Sequence, residues 1–210
     1  MSENLLAMKR YGNRQKHLNQ NPLQQRLLHK FHQQIINLIQ QTQVNRVLDV
    51  GCAEGFVLKH LHQALPNTTM MGGDFSFEAL TWGHEQLNHD LPMTNLDIHR
   101  LPFPDNHFPL VLCLEVLEHL PDSSLALREL SRVSSDYLLV SVPHEPFFCL
   151  ANFIRLKHVM AFGNDPEHLH NYTEHSFKRL VSREIELAWY GRSFPWQIAL
   201  GRKRQLGIRN

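Results

Sequence analysis

The turn Asp49-Val50-Gly51-Cys52-Ala53-Glu54-Gly55 follows directly on a short, β-rich apolar run and precedes a helix-like one. Glycines at such a junction let a ligand approach the backbone, and the helix N-terminus beyond it ordinarily attracts anions. The spacing here is G-x-x-x-G. It lacks the G-x-x-x-x-G-K-S/T of a phosphate loop and the third glycine of a G-x-G-x-x-G dinucleotide loop. Asp49 and Glu54 flank the turn, and carboxylates there disfavour a pyrophosphate and favour a cation. S-adenosylmethionine, a nucleoside with a sulfonium and an ammonium but no phosphate, suits those charges. Asp74, 23 residues after Gly51 at the end of the next strand-like run, is placed to accept hydrogen bonds from ribose hydroxyls, a residue NAD would equally want. Asp97-Ile98 ends a third such run, where the carboxylate would meet an adenine amino group and Ile98 would pack on the ring. A solvated surface aspartate is the plainer reading of Asp97.

Histidine is the compositional outlier, with 15 in 210 residues. His119, in the stretch EVLEHL past the fourth strand-like run, is a candidate catalytic base near the methyl donor, with an orienting or helix-capping role weighing as much. His144 and His168 are further candidate bases. His168, His170 and His175 have a His-x-His spacing, but no cysteine or carboxylate sits at a familiar zinc spacing, so no metal is expected. Cys52, Cys113 and Cys149 are an odd set without C-x-x-C spacing, which argues against a disulfide framework and for a reducing, cytoplasmic setting.

Stepping through the chain, Asn21-Pro22 opens an amphipathic helix to about residue 41, with Leu23, Leu27, Leu28, Phe31, Ile35, Ile36, Leu38 and Ile39 near helical spacing. From Arg46 the pattern alternates: RVLDV, TTMMGGDF, MTNLDI, FPLVLCL and DYLLVSVP read as strands, and FVLKHLHQAL, SFEALTWGHEQL and SSLALRELSRV as helices. Such alternation implies an α/β doubly wound, mostly parallel sheet. Beyond Pro143 the rhythm breaks. Residues 147–162 are apolar and read as a small helical cap, 164–166 as a turn, and Thr173 as the N-cap of EHSFKRLVS. EIELAWYG and WQIALGRK, separated by a turn-prone stretch from Gly191 to Pro195, should pair antiparallel at one end of the sheet. A net charge of +1 provides no general field for a polyanion, so a nucleic-acid partner is not expected. The start carries no cleavable apolar core, and no stretch approaches the ~18 apolar residues of a membrane span.

In order and spacing, the segments RVLDVGCAEG, MGGDFSFEAL, LDIHRLPFPDNHF, LVLCLEVLEHLPD, LRELSRV and YLLVSVP resemble those of the class I S-adenosylmethionine-dependent methyltransferases. The likeness is to the small Rossmann-like enzymes of methyltransferase type 11, which include ubiquinone-biosynthesis-type enzymes. The resemblance implies a seven-stranded sheet with an antiparallel C-terminal strand and the cofactor over strands one to four. It implies cofactor contacts from Asp49, Gly51, Cys52, Gly55, Asp74, Phe75, Asp97, Ile98, Leu114 and Glu115, with S-adenosylhomocysteine as product. Two departures are visible: Ala53 where the family usually has glycine, and Phe108-Pro109 where Phe-Asp is common.

Residues 164–173 resemble the family's His-x-x-x-aromatic-Thr entry to the last helix, which lines the acceptor side. That places His168 and Tyr172, with His144, at the substrate. The organisation expected is one domain over 1–210: a helical segment 1–45, a cofactor-binding core 46–143, and an acceptor-side cap with the final strands, 144–210. The acceptor expected is a small molecule or a lipid- or glycan-linked one, methylated on oxygen, with peripheral membrane contact through 147–162. The competing classes are a non-catalytic methyltransferase-like subunit acting as a binding partner, and an NAD-dependent oxidoreductase. The intact acids oppose the first and the missing third glycine the second.

Overall fold

The computed structural model describes residues 12–87, 90–145 and 168–204. The apolar stretch 147–162 and the turn 164–166 lie outside them. Helix α1 (Gly12–Leu18) leads into α2 (Pro22–Thr42), which starts where proline at its first position and the Asn21 side chain, accepting from Leu23 N and Gln24 N, satisfy the otherwise unpaired N–H groups. Then β1 (Arg46–Val50), α3 (Phe56–Ala64), β2 (Thr69–Asp74), α4 (Phe77–Gln86) and β3 (Met93–Asn95) alternate as the pattern predicts. β4 (Phe108–Leu114) runs into a 3-10 turn, Leu117–His119; α5 (Ser123–Val133), capped by Asp122, and β5 (Ser134–Pro143) follow. α6 (Glu174–Val181) begins at a capping box made by Thr173 and Ser176, and the strands β6 (Ile185–Ser193) and β7 (Trp196–Lys203) close the fold.

The seven strands form one sheet in the order β3-β2-β1-β4-β5-β7-β6, with β7 antiparallel to both of its neighbours and the other pairings parallel. Successive side chains of a strand point to opposite faces. Accordingly, Leu48, Val111, Cys113, Leu138 and Val140 join one core with Leu127 and Leu130 of α5 and Phe177 of α6. Val47, Leu110, Leu112 and Leu139 join the other, with Phe31, Ile35 and Ile39 of α2 and Leu58 and Leu61 of α3. Burial on both faces explains why the strands read as continuous apolar runs.

Two boundaries differ from expectation. β3 contracts to three residues, leaving Asp97 in a turn bridged to Arg100. Gly191 lies inside β6 opposite Ile198, because the Trp189 indole occupies the space where a Cβ would stand, and the hairpin turn shrinks to Phe194-Pro195. Pro109 is the second residue of β4, at a register shift between Phe108 and Leu110, where a missing N–H costs the ladder nothing. Among the described residues, no helix is long and apolar enough to cross a membrane.

Candidate active site at the C-terminal ends of β1, β2 and β4

The turn after β1 is held against β2 by Gly51 N and Cys52 N, which both donate to the Gly73 carbonyl at 2.7 and 3.2 Å. Its path needs positive φ at Gly51 (86°), Ala53 (48°) and Gly55 (82°). Ala53 is thus an L-residue in the left-handed region, at a cost of about 1 kcal/mol. The family's usual glycine there has a backbone reason beyond the added methyl. At Gly51 the demand is also steric: a Cβ would fall 2.3 Å from Val116 Cγ2, so the turn after β4 lies directly against the turn after β1.

Two carboxyl groups, Asp49 and Asp74, meet at this turn, and a third, Glu115, follows β4. Asp49 is 2% exposed, and burial together with the neighbouring Asp74 charge pushes its carboxyl up to about 7. Asp74 accepts from Ala53 N through one oxygen and from Ser76 N through the other, each at 2.8 Å, while burial raises its carboxyl. Glu115 has φ 61°; its N–H donates to Ser141 O and its Oε1 accepts from Ser141 Oγ at 3.0 Å. Burial pushes Glu115 up to about 6, opposed by the Lys16 charge on α1.

Glu54 departs from the expected arrangement. It is 2% exposed and bound by α1, with Asn13 Nδ2 at 2.6 Å and Arg14 Nε at 3.0 Å, so its charge is matched by Arg14 rather than offered to a ligand. Arg14 in turn stacks over Trp82 at 4.8 Å, and Lys16 over Trp196 at 4.9 Å. Helix α1 therefore straps the turn down. Neither α1 nor Val116 was visible as a site element, since pairs 40 residues apart leave no local pattern. Gly83 was missed likewise: a Cβ on it would stand 2.2 Å from the Glu54 carbonyl oxygen, so α4 rests backbone to backbone on the turn. Gly83→Ala should destabilise by about 2 kcal/mol on urea unfolding, overcoming the ~1 kcal/mol that alanine gains in a helix. A more stable variant would show that the contact yields freely.

The remaining sequence candidates divide. Cys52 is buried, its thiol raised by burial and by the nearby Asp49 and Asp74, and its Sγ packs toward Gly72 of β2. Leu114 is buried in the α2-side core and Ile98 in the α5-side core, while Phe75 stands 80% exposed beside Asp74. Asp97 is half-exposed and accepts from His99 N at 2.9 Å. His144 is 6% exposed, its N–H bound to Pro195 O at 2.9 Å, and burial lowers its pKa. His119 meets the His168 ring at 5.0 Å between centroids. Tyr172 packs its ring in the core, and its hydroxyl donates to Ser123 Oγ at 2.9 Å, with both groups buried, so the side chain anchors the loop.

Residues 48–136, which include this turn, β2 and β4, match the family model described as a methyltransferase domain. Over that span the chain is similar to methyltransferase domains. It is 34% identical over 100 residues to an uncharacterized methyltransferase of Schizosaccharomyces pombe, covering 43% of this chain and 36% of that protein. It is 31% identical over 90 residues to a malonyl-[acyl-carrier protein] O-methyltransferase of Legionella pneumophila, covering 42% and 32%. The match thus spans about a third of the length of these relatives. A magnesium protoporphyrin IX methyltransferase of Synechocystis, solved with bound SAH, shares the fold at a TM-score of 0.63 and 20% identity, over 94% of this chain and 92% of that one.

Proposed function

We propose that this chain is a methyltransferase that binds S-adenosylmethionine across the C-terminal ends of β1, β2 and β4 and methylates an oxygen of a small-molecule or lipid- or glycan-linked acceptor. The observation that carries the reading is the meeting of Asp49 and Asp74 at a turn with three positive-φ residues and no lysine or arginine of its own, with Glu115 buried just beyond β4. That set fits a cationic nucleoside. Each Asp74 oxygen already takes one backbone N–H, and a carboxylate has about four acceptor sites, so two remain for the ribose hydroxyls. Gly51 gives the backbone close approach, and Asp49 and Glu115 supply negative charge once a cation favours their ionised forms. Cys52, Gly55, Phe75, Asp97, Ile98 and Leu114 complete the proposed cofactor surface.

When bound, the cofactor supplies an electrophilic methyl group on sulfur. The chain's own part is to hold an acceptor in line, which can account for most of the rate. His144, whose pKa burial lowers, can take a proton from an acceptor hydroxyl, and the paired His119 and His168 are the other candidate bases. Leu169 and Phe194, 58% and 51% exposed, adjoin His168 and Pro195 and support an acceptor with an apolar portion.

Calorimetry with S-adenosylmethionine, S-adenosylhomocysteine and NAD tests the reading. Both sulfur compounds should bind, and binding of NAD alone would overturn it. Asp74→Ala should weaken S-adenosylhomocysteine by about 1–3 kcal/mol through lost ribose hydrogen bonds; unchanged affinity would remove Asp74 from the site.

A further inference from the structure

Glu118 and His119 lie in the 3-10 turn after β4, and His168 lies in the segment that leads into α6. One carboxylate oxygen of Glu118 and one ring nitrogen from each histidine all fall within 4.8 Å of one another. His119 Nε2 is 3.9 Å from Glu118 Oε1, and the two imidazoles meet edge to face. The backbone builds this meeting: Leu169 N and His170 N both donate to the Glu118 carbonyl, at 2.8 and 3.1 Å, so the 3-10 turn and the 168–170 segment are stapled together regardless of rotamer. Glu118 is 1% exposed, whereas His119 is exposed and His168 half-buried. A carboxylate withdrawn from water at such a place is stabilised by a cation.

We propose that Glu118, His119 and His168 form a binding site for one divalent transition metal of the zinc class, with a coordination position left open for an oxygen ligand. Two imidazoles and a carboxylate are a borderline donor set that favours zinc and its neighbours over magnesium or calcium, which take oxygen. Three protein ligands, as against four, are the complement of an open, reactive site. Bonds of about 2.0–2.2 Å in tetrahedral array separate donors by about 3.3 Å, so His119 must close by about half an ångström on the fixed Glu118. Both histidines have the exposure to make that movement. With these histidines on the acceptor side, as proposed above, the open position would take a hydroxyl or carboxylate oxygen and make a hydroxyl more acidic. Sequence spacing hid the set because it looked for partners among His168, His170 and His175, whereas the carboxylate comes from the β4 side.

The test uses the full chain stripped with a chelator and titrated with zinc chloride by calorimetry, and with cobalt chloride by visible absorption, without S-adenosylmethionine. Its outcome therefore does not depend on the cofactor reading. One equivalent of zinc should bind, and cobalt should give the intense visible bands of four- or five-coordination. His119→Asn and His168→Asn should each lower zinc affinity at least about tenfold with the melting temperature kept, while His29→Asn, on the exposed face of α2, should not. These two surface variants carry the test, since Glu118→Gln alters a buried group. Absence of a saturable single equivalent, or equal affinity in both histidine variants and the parent, overturns the proposal.

Discussion

Asp49→Asn is expected to make the ligand-free protein more stable and a poorer binder of S-adenosylmethionine. Asp49 sits at 2% exposure with its carboxyl pushed from 3.8 to about 7, so the fold disfavours its ionised form by roughly 4 kcal/mol. The sign follows from the raised folded value. The protonated side chain costs the fold nothing below the unfolded pKa, and stability is lost progressively as pH rises to about 7. Asparagine keeps the shape without the charge. Urea unfolding at pH 8 should show a gain of up to about 4 kcal/mol, shrinking below about 2 kcal/mol at pH 5, where the folded parent is already protonated. Affinity for the cofactor should move the opposite way, by tenfold or more at pH 8, because the cation loses its buried counter-charge. Equal stability of parent and variant at pH 8 would mean that Asp49 is not held at a cost.

His32→Leu is the second large expectation, and its effect belongs to acid pH. His17 of α1 stacks on His32 of α2 with ring centroids 5.8 Å apart, and His60 of α3 is 4.8 Å from His32. Burial, with the charges of Lys16 and the neighbouring histidines, lowers both His17 and His32 from 6.5 to about 3. A depressed folded value means that the unfolded chain binds the extra protons, so stability present above pH 6.5 is lost as pH falls toward 3. At pH 4.5 each ring accounts for about 3 kcal/mol of loss. Asp49 and Glu115, with raised values, recover a similar amount over the same interval. The parent's stability should therefore stay nearly level from pH 7 to about 4.5 and collapse below it, when the acids are spent and the histidines are not. His32→Leu should be about 3 kcal/mol better at pH 4.5, relative to pH 8, than the parent. Parallel curves for the two proteins would show that His32 charges in the fold at its ordinary value.

The alternation that defines the sheet was legible because each strand is buried on both faces and each crossover helix on one, giving different apolar periods. The turn was legible for a similar reason, since glycine marks where positive φ is needed, at Gly51 and Gly55. What escaped were contacts that only the assembled fold creates. Glu54 looked like a charge for the ligand, but Arg14 lies 40 residues upstream in a segment with no pattern of its own. The bond from the Tyr172 hydroxyl to Ser123, 49 residues earlier, is of the same kind. Val116 and Gly83 carry no chemistry in a sequence and act only through proximity.

The strand order has a consequence for how the chain acquires its shape during synthesis. β7 follows β6 in sequence yet lies between β6 and β5. Until residues 196–203 have emerged, β5 presents a raw edge of unpaired N–H and C=O groups beside Leu138, Leu139 and Val140, all fully buried at the end. At roughly 5–20 residues per second, that edge is open for seconds on a translating ribosome, the kind of surface on which nascent chains stick to one another. β6 cannot shield it, because β6 has no place in the sheet without β7. The C-terminal hairpin thus acts as a late clasp, and the time before it shuts is when this chain most needs a chaperone.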